Sequence, residues 1–166
     1  MDRDDGELDG RGGELTTVGE ADGVVYRLGR DVGPAAVAAV YRSVGWEHLA
    51  RDPERLGVAL RASTEVATAW EGGEVVGVAR LLSDRVFHGL ILGVAVRSDR
   101  QGRGIGTRLV QTLVDLNPEM HYHLWTRTHR YSFYGRLGFR RDDTAMERPA
   151  GALAASTRKV KGRGEG

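Results

Sequence analysis

The sequence predicts an α/β (α+β) fold, a mixed central sheet with helices on both faces. Two hydrophobic periods alternate along the chain, three strand-like runs follow one another in the middle, and helices then separate the later strands. Consecutive strands favour antiparallel pairing, and strands that alternate with helices favour crossover connections, so a mixed sheet is expected. A length of 166 residues suits one domain, and 40% hydrophobic with 28% charged residues is an ordinary globular balance.

The elements are expected in the order β-α-α-β-β-β-α-β-α-β. Val24-Val25-Tyr26-Arg27-Leu28 reads as the first strand. Gly33-Pro34 opens a helix in which Val37, Val40, Tyr41 and Val44 follow an i, i+3, i+4, i+7 pattern. Asp52-Pro53-Glu54 places an N-cap and a first-turn proline at the start of a second helix. Residues 65–71 and 74–82 flank Gly72-Gly73, a hairpin signal. A mostly apolar strand runs from about Phe87 to Val96. A helix with Ile105, Leu109, Leu113 and Leu116 on one face then ends at Asn117-Pro118. His121 to Trp125 reads as a strand, and Arg130 to Leu137 as a short helix closed by Gly138. A last strand or hairpin takes in Phe139-Arg140-Arg141 and Met146.

Residues 1–22, rich in Asp, Glu and Gly, read as a disordered acidic leader, residues 23–149 as the domain, and residues 150–166 as a flexible basic tail. The acidic start is not a signal peptide, and the run Leu90-Ile91-Leu92-Gly93-Val94-Ala95-Val96 is too short to span a bilayer. A formal net charge of +1 gives no argument for nucleic acid or a membrane as partner. The absence of cysteine excludes disulfides, Cys-based metal sites and Cys nucleophiles, and fits a cytoplasmic location. His121 and His123 alternate on one strand without further ligands at suitable spacing, so no metal is expected.

The most informative segment is Val94-Ala95-Val96-Arg97-Ser98-Asp99-Arg100-Gln101-Gly102-Arg103-Gly104-Ile105-Gly106-Thr107, in which a strand leads through alternate glycines into a helix. Glycines permit positive φ and close backbone approach, and the free amides of a first helical turn form an anion site. A pyrophosphate suits it. A P-loop would need Gly-Lys-Ser/Thr, which does not occur. A dinucleotide fingerprint would need a third glycine where Thr107 stands. A glycine-rich turn without ligand is the competing reading.

Gln101-Gly102-Arg103-Gly104-Ile105-Gly106 resembles the Q/R-x-x-G-x-G/A signature of the GNAT superfamily of acetyl-CoA-dependent N-acetyltransferases. Phe133-Tyr134-Gly135-Arg136-Leu137-Gly138-Phe139 resembles its second signature, a tyrosine ahead of Leu-Gly-Phe. The resemblance covers roughly residues 24–148, and the hairpin strand Val75-Val76-Gly77-Val78-Ala79-Arg80 is similar too. It implies transfer of an acetyl group from acetyl-CoA to a primary amine, a small molecule or a peptide, by direct attack in a ternary complex. The pantetheine arm would pair with the backbone of Val94 and Val96. The segment Gln101, Gly102, Arg103, Gly104, Ile105, Gly106 and Thr107 would bind the cofactor, its amides from about Gly102 to Thr107 holding the pyrophosphate, with Arg103 and Arg108 adding charge. Tyr134 would be the general acid for the departing thiolate.

The resemblance leaves several points open. Asp84, His88, Glu47 and His48 are candidates for a base, and none is singled out. Thr126-Arg127-Thr128 stands where many relatives carry an asparagine, so the contact made by that asparagine has no counterpart by type. Trp46, Trp70 and Trp125 fit an aromatic amine pocket or core packing equally. Tyr41-Arg42-Ser43-Val44-Gly45-Trp46 is similar to the helical region of arylalkylamine-acetylating members, which points to an acceptor with an apolar body. A non-catalytic acetyl-CoA-binding regulator with the same fold is the alternative. A homodimer is compatible with the sequence, which does not fix the oligomeric state.

Overall fold

A computed structural model of the protein describes residues 13–149. They fall into two compact units, one ending at Arg127 and one beginning at Thr128. The first unit holds one six-stranded sheet whose order in space follows the chain. Its strands are β1 (Thr16–Ala21), β2 (Val24–Leu28), β3 (Glu65–Glu71), β4 (Glu74–Ser83), β5 (His88–Val96) and β6 (His121–His123). All neighbours are antiparallel except β5 and β6, which run parallel. Helices α1 (Pro34–Ser43), α2 (Glu47–Ala50) and α3 (Pro53–Arg61) lie between β2 and β3, and α4 (Ile105–Val114) connects β5 to β6.

The helices cover opposite faces, and adjacent residues of β4 show it. Val78 packs in one core with Val37, Val40 and Tyr41 of α1 and Leu56 and Leu60 of α3. Gly77 faces the other way, so close to Leu109 and Ile105 of α4 that a Cβ would press on both. The buried stripe of α1 is Val37, Ala38, Val40 and Tyr41, as its spacing predicts. The side chain of Asp52 caps α3 by accepting from the amide of Arg55, and Pro53 takes the first turn. In α4, Ile105, Leu109 and Leu113 are buried with Val110, whereas Leu116 lies beyond the helix and is exposed.

The observed order departs from the expected one at both ends. Residues 13–21 belong to the ordered fold, since β1 pairs with β2 across Asp22-Gly23; residues 1–12 of the expected leader lie outside the described residues, as does the expected tail from 150. Every residue of β1 is exposed except the half-buried Gly19, so the strand carries no hydrophobic alternation to read. The signal that could have found it is the Asp-Gly turn, with both residues at positive φ (51° and 76°), the favoured hairpin geometry. The expected last strand is not formed. Residues 139–149 contain no strand, Met146 is 98% exposed, and Asp142 instead closes a local turn on the amide and hydroxyl of Thr144.

The second unit carries α5 (Tyr131–Gly135), which stops before Gly138 at φ +86°. Tyr134 is buried there between Phe133 and Phe139, whose rings stand edge-on to it at 4.8 and 5.9 Å.

Candidate active site

The site begins with an irregularity in β5. Leu92 pairs with Arg80 and Ala95 pairs with Val78, so Gly93 and Val94 together face Ala79. This is a β-bulge, and Gly93 sits in it at φ +61°. The hydroxyl of Tyr41, reaching up from α1, donates to the carbonyl of Gly93 at 3.2 Å.

On its outer edge β5 is paired with β6 only through His88, Gly89 and Leu90. Beyond Leu90 that edge has no strand partner among the described residues. The amide of Arg97 donates to Val76 of β4 at 2.8 Å, so by strand alternation the backbone groups of Val96 face outward. Gln101 returns to meet them, its side-chain amide donating to the Val96 carbonyl at 3.0 Å. A carbonyl oxygen has a second lone pair, so this bond leaves room for another donor.

The glycine turn follows. Gly102 and Gly104 both sit at φ +78°, and a Cβ on either would meet nothing within 4 Å. They are glycines for backbone conformation and for openness, not for packing. Gly104 is the N-cap of α4 and offers no side chain, and the first helical bond runs from the Arg108 amide to its carbonyl. The amides of Ile105, Gly106 and Thr107 are therefore without protein acceptors among the described residues, at the positive end of a ten-residue helix. Ile105 has a divided role, its side chain in the core and its amide at the turn. A recess of about 330 Å³ adjoins the turn, lined by Tyr26, Arg103, Gly104, Ile105, Thr107 and Arg108 among others.

Arg103 is not free to act as a bare cation. Its guanidinium pairs with Glu71 at 2.8 Å and donates to the Asp22 carbonyl at 3.2 Å. Arg100 grips the same carboxylate, and the two arginines hold Glu71 below the usual carboxylate range. The effect is to fasten the turn to the end of β3.

The base candidates separate. Asp84 is a loop staple, its Oδ1 accepting from the amides of His88, Val86 and Phe87, which hold its carboxyl below the usual range. Glu47 lies on α2 beside Arg42 at 3.8 Å, and His48 is exposed on the same helix. His88, by contrast, meets His123 of β6, with Nδ1 and Nε2 3.1 Å apart, and the ring of His121 stands edge-on at 5.9 Å. Sequence spacing set His121 and His123 aside as structural. The parallel register that brings His88 to them across two strands was not visible in either strand alone. No group of three or more His, Cys, Asp or Glu able to hold a metal occurs among the described residues.

Of the tryptophans, Trp46 packs against Tyr41 at 5.6 Å, and Trp70 is covered by the Arg27 guanidinium at 4.7 Å; Trp125 is 69% exposed. Tyr134 belongs to the second unit, where burial raises its phenol above the ordinary value, a shift that Arg130 opposes. No helix among the described residues is long and apolar enough to cross a membrane.

Comparison with known proteins agrees with these features. The histone acetyltransferase TAP1 of Glycine max is 30% identical over 143 residues, 78% of this chain and 61% of its own. The chloroplastic GCN5-related N-acetyltransferase 2 of Arabidopsis thaliana is 28% identical over 147 residues, 75% of this chain and 56% of its own. This chain thus spans about six-tenths of the length of those relatives. Among solved structures, a GNAT-family acetyltransferase from Streptococcus pneumoniae superposes with a TM-score of 0.67 at 26% identity, covering 76% of this chain and 97% of that one. The pattern of the acetyltransferase (GNAT) family itself matches residues 35–139, more than half of the sequence, and the chain belongs to that family.

Proposed function

We propose that the protein transfers the acetyl group of acetyl-CoA to a primary amine by direct attack in a ternary complex. The observation that carries this reading is the junction of an open β5 edge with an uncapped glycine turn. Outward-facing backbone at Val96 can receive an extended amide chain as an added strand. A few residues on, the amides of Ile105, Gly106 and Thr107 suit a pyrophosphate. The residues therefore fit acetyl-CoA, which supplies an activated acyl group as a thioester.

The chain must provide two proton transfers. An alkylamine with a pKa near that of lysine, about 10.4, costs roughly 4–5 kcal/mol to bring to its neutral form at pH 7. The exposed His88–His123 pair is the base in this reading, since its ring nitrogens, 3.1 Å apart, can take up a proton and pass it between them. Tyr134 is the acid that protonates the leaving thiolate, and burial keeps its phenol protonated well beyond neutral pH.

The test is thermal unfolding with and without acetyl-CoA, with free-thiol release followed across amines, polyamines and peptide N-termini. Saturation at 100 times Kd adds about 2.7 kcal/mol of stability. A raised melt with thiol release on one amine class is the expected result. A raised melt without release favours a binding regulator, and no shift at millimolar acetyl-CoA overturns the reading.

A further inference from the structure

Between the β1–β2 hairpin and the first turns of α4, the recess of about 330 Å³ is lined by two polar groups that the fold leaves unmet, the guanidinium of Arg108 and the hydroxyl of Tyr26. Gly19 of β1 pairs with Tyr26 of β2, and the absence of a side chain at 19 opens space beside the tyrosine ring. Arg108 reaches into it from α4. Its guanidinium carbon lies 5.8 Å from the centre of the Tyr26 ring, and a Cβ at Gly19 would come within 3.2 Å of Nη2.

The two arginines of the recess are not equivalent. Arg103 is taken by Glu71 and by the Asp22 carbonyl. Arg108 has no carboxylate within ion-pairing distance among the described residues, and its guanidinium donates no hydrogen bond there. Its fork of N–H donors is therefore free. Tyr26 is only 4% exposed, yet its hydroxyl has no hydrogen-bond partner among the described residues. A buried phenol ordinarily finds one. Arg80 Nε is the one side-chain polar atom of the described residues that is both unpaired and shut off from solvent, so the Tyr26 hydroxyl keeps an opening. Burial raises that phenol above its ordinary value, with Arg108 opposing, so at neutral pH it is a donor. Asp22 is the only carboxylate among the lining residues, against two guanidiniums and the positive end of α4. An unpaired cation and an unmet donor in one positive recess call for an anion with several acceptor oxygens.

We propose that Arg108 and Tyr26 receive a phosphate monoester, the 3′-phosphate on the ribose of the cosubstrate, while the amides of Ile105, Gly106 and Thr107 hold its pyrophosphate. The inference rests on the acetyltransferase reading for the identity of the ligand. A monoester carries about −1.5 to −2 charge near pH 7 and offers three acceptor oxygens, enough for a guanidinium and a phenol together. The spacing agrees. Gly104 and Arg108 stand one turn apart on α4, about 5.4 Å along its axis, and in coenzyme A only ribose carbons separate the 5′ and 3′ phosphate oxygens. Arg108 thereby leaves the pyrophosphate role that the motif suggests and becomes the residue that distinguishes coenzyme A from its 3′-dephospho form.

The experiment titrates coenzyme A and 3′-dephospho-coenzyme A by calorimetry into the full chain, as wild type, Arg108→Gln and Tyr26→Phe, each shown to be folded by its thermal melt. The wild type is expected to bind coenzyme A about tenfold or more tightly than the dephospho form. Arg108→Gln is expected to bring that ratio to near one by weakening coenzyme A alone. Tyr26→Phe, which keeps the ring beside Arg108, is expected to lower the ratio about threefold. Equal binding of the two ligands by the wild type overturns the proposal without any variant being needed, and leaves the acetyltransferase reading standing. An equal loss for both ligands in Arg108→Gln puts its charge on the pyrophosphate and overturns the proposal as well. Failure of the wild type to bind either ligand sinks the acetyltransferase reading and this inference with it.

Discussion

The Tyr41 hydroxyl donates to the Gly93 carbonyl at 3.2 Å and occupies the space in which a side chain at position 93 would begin. Helix α1 and the bulge of β5 are thus fitted to each other through one phenol. A methyl at 93 meets that oxygen well inside contact distance and must also hold φ +61°. Gly93→Ala should cost about 2–4 kcal/mol from strain and crowding together. Tyr41→Phe alone should cost about 1 kcal/mol for the lost hydrogen bond. Because the phenylalanine also clears the space, the double variant should regain at least about 1 kcal/mol over the additive sum. Urea unfolding of the four proteins checks this, and strict additivity would refute it.

Gly104→Ala isolates the conformational role of the turn. Nothing lies near the added methyl, so the cost is backbone strain at φ +78°, about 1–2 kcal/mol. Acetyl-CoA affinity should fall at least tenfold as the free amides tilt away, measured by calorimetry at a temperature where the variant is fully folded.

Arg103 leads to an expectation opposite to the one its motif suggests. Its charge is already engaged by Glu71, so Arg103→Ala should weaken acetyl-CoA binding by less than about threefold, in the range of an exposed pair. Glu71→Gln, which releases two arginines beside the turn, should tighten binding at low salt and lose that gain at 0.5 M. Calorimetry at two ionic strengths decides the point.

The tyrosines set an alkaline limit. Burial raises Tyr41 above its ordinary value, with Arg80 opposing, and raises Tyr134, with Arg130 opposing. A raised folded pKa means that the unfolded chain releases its protons first, at about pH 10. The stabilising contribution is whole below that pH and is lost as pH rises through the folded values. Stability from chemical denaturation should be flat from pH 8 to 9.5 and then fall, and Tyr41→Phe should make the fall shallower.

The proton-transfer assignments are separable by kinetics. Tyr134→Phe should lower kcat by about 10²–10⁴-fold with little change in the KM for acetyl-CoA. His123→Phe should lower kcat at pH 7 and recover as pH approaches the acceptor's own pKa, where the amine is neutral without help. A pH-independent loss would remove His123 from the base role.

Much of this was legible in the residues, and what was hidden has a common cause. Periodicity located α1, and the Asp52-Pro53 cap located α3. The Gly72-Gly73 turn fixed the β3–β4 hairpin, because local chemistry decides each of these. The glycine turn and the start of α4 were equally plain. Strand β1 escaped because an edge strand exposed on both faces carries no pattern, and Leu116 was assigned to a helix face that ends two residues earlier. The His88–His123 contact depends on register between strands, a property of pairs that no single segment displays. Arg103 looked like a ligand for phosphate because Glu71, thirty-two positions away, gave no sign of claiming it.

The bulge at Gly93 also acts as a phase shifter for the whole strand. Before it, even-numbered residues such as Leu90 and Leu92 look towards the α1 side; after it, Ala95 does, and the even-numbered Val96 does not pack in that core. One inserted residue has exchanged the inside and outside labels of half a strand. Deleting a single residue between Leu92 and Ala95 would restore a uniform ladder and leave Leu90, Leu92 and Ala95 together on the α1 side. The amphipathic code of β5 is therefore two codes joined out of step, and the seam between them lies just short of the Val96 backbone proposed to receive the extended amide chain.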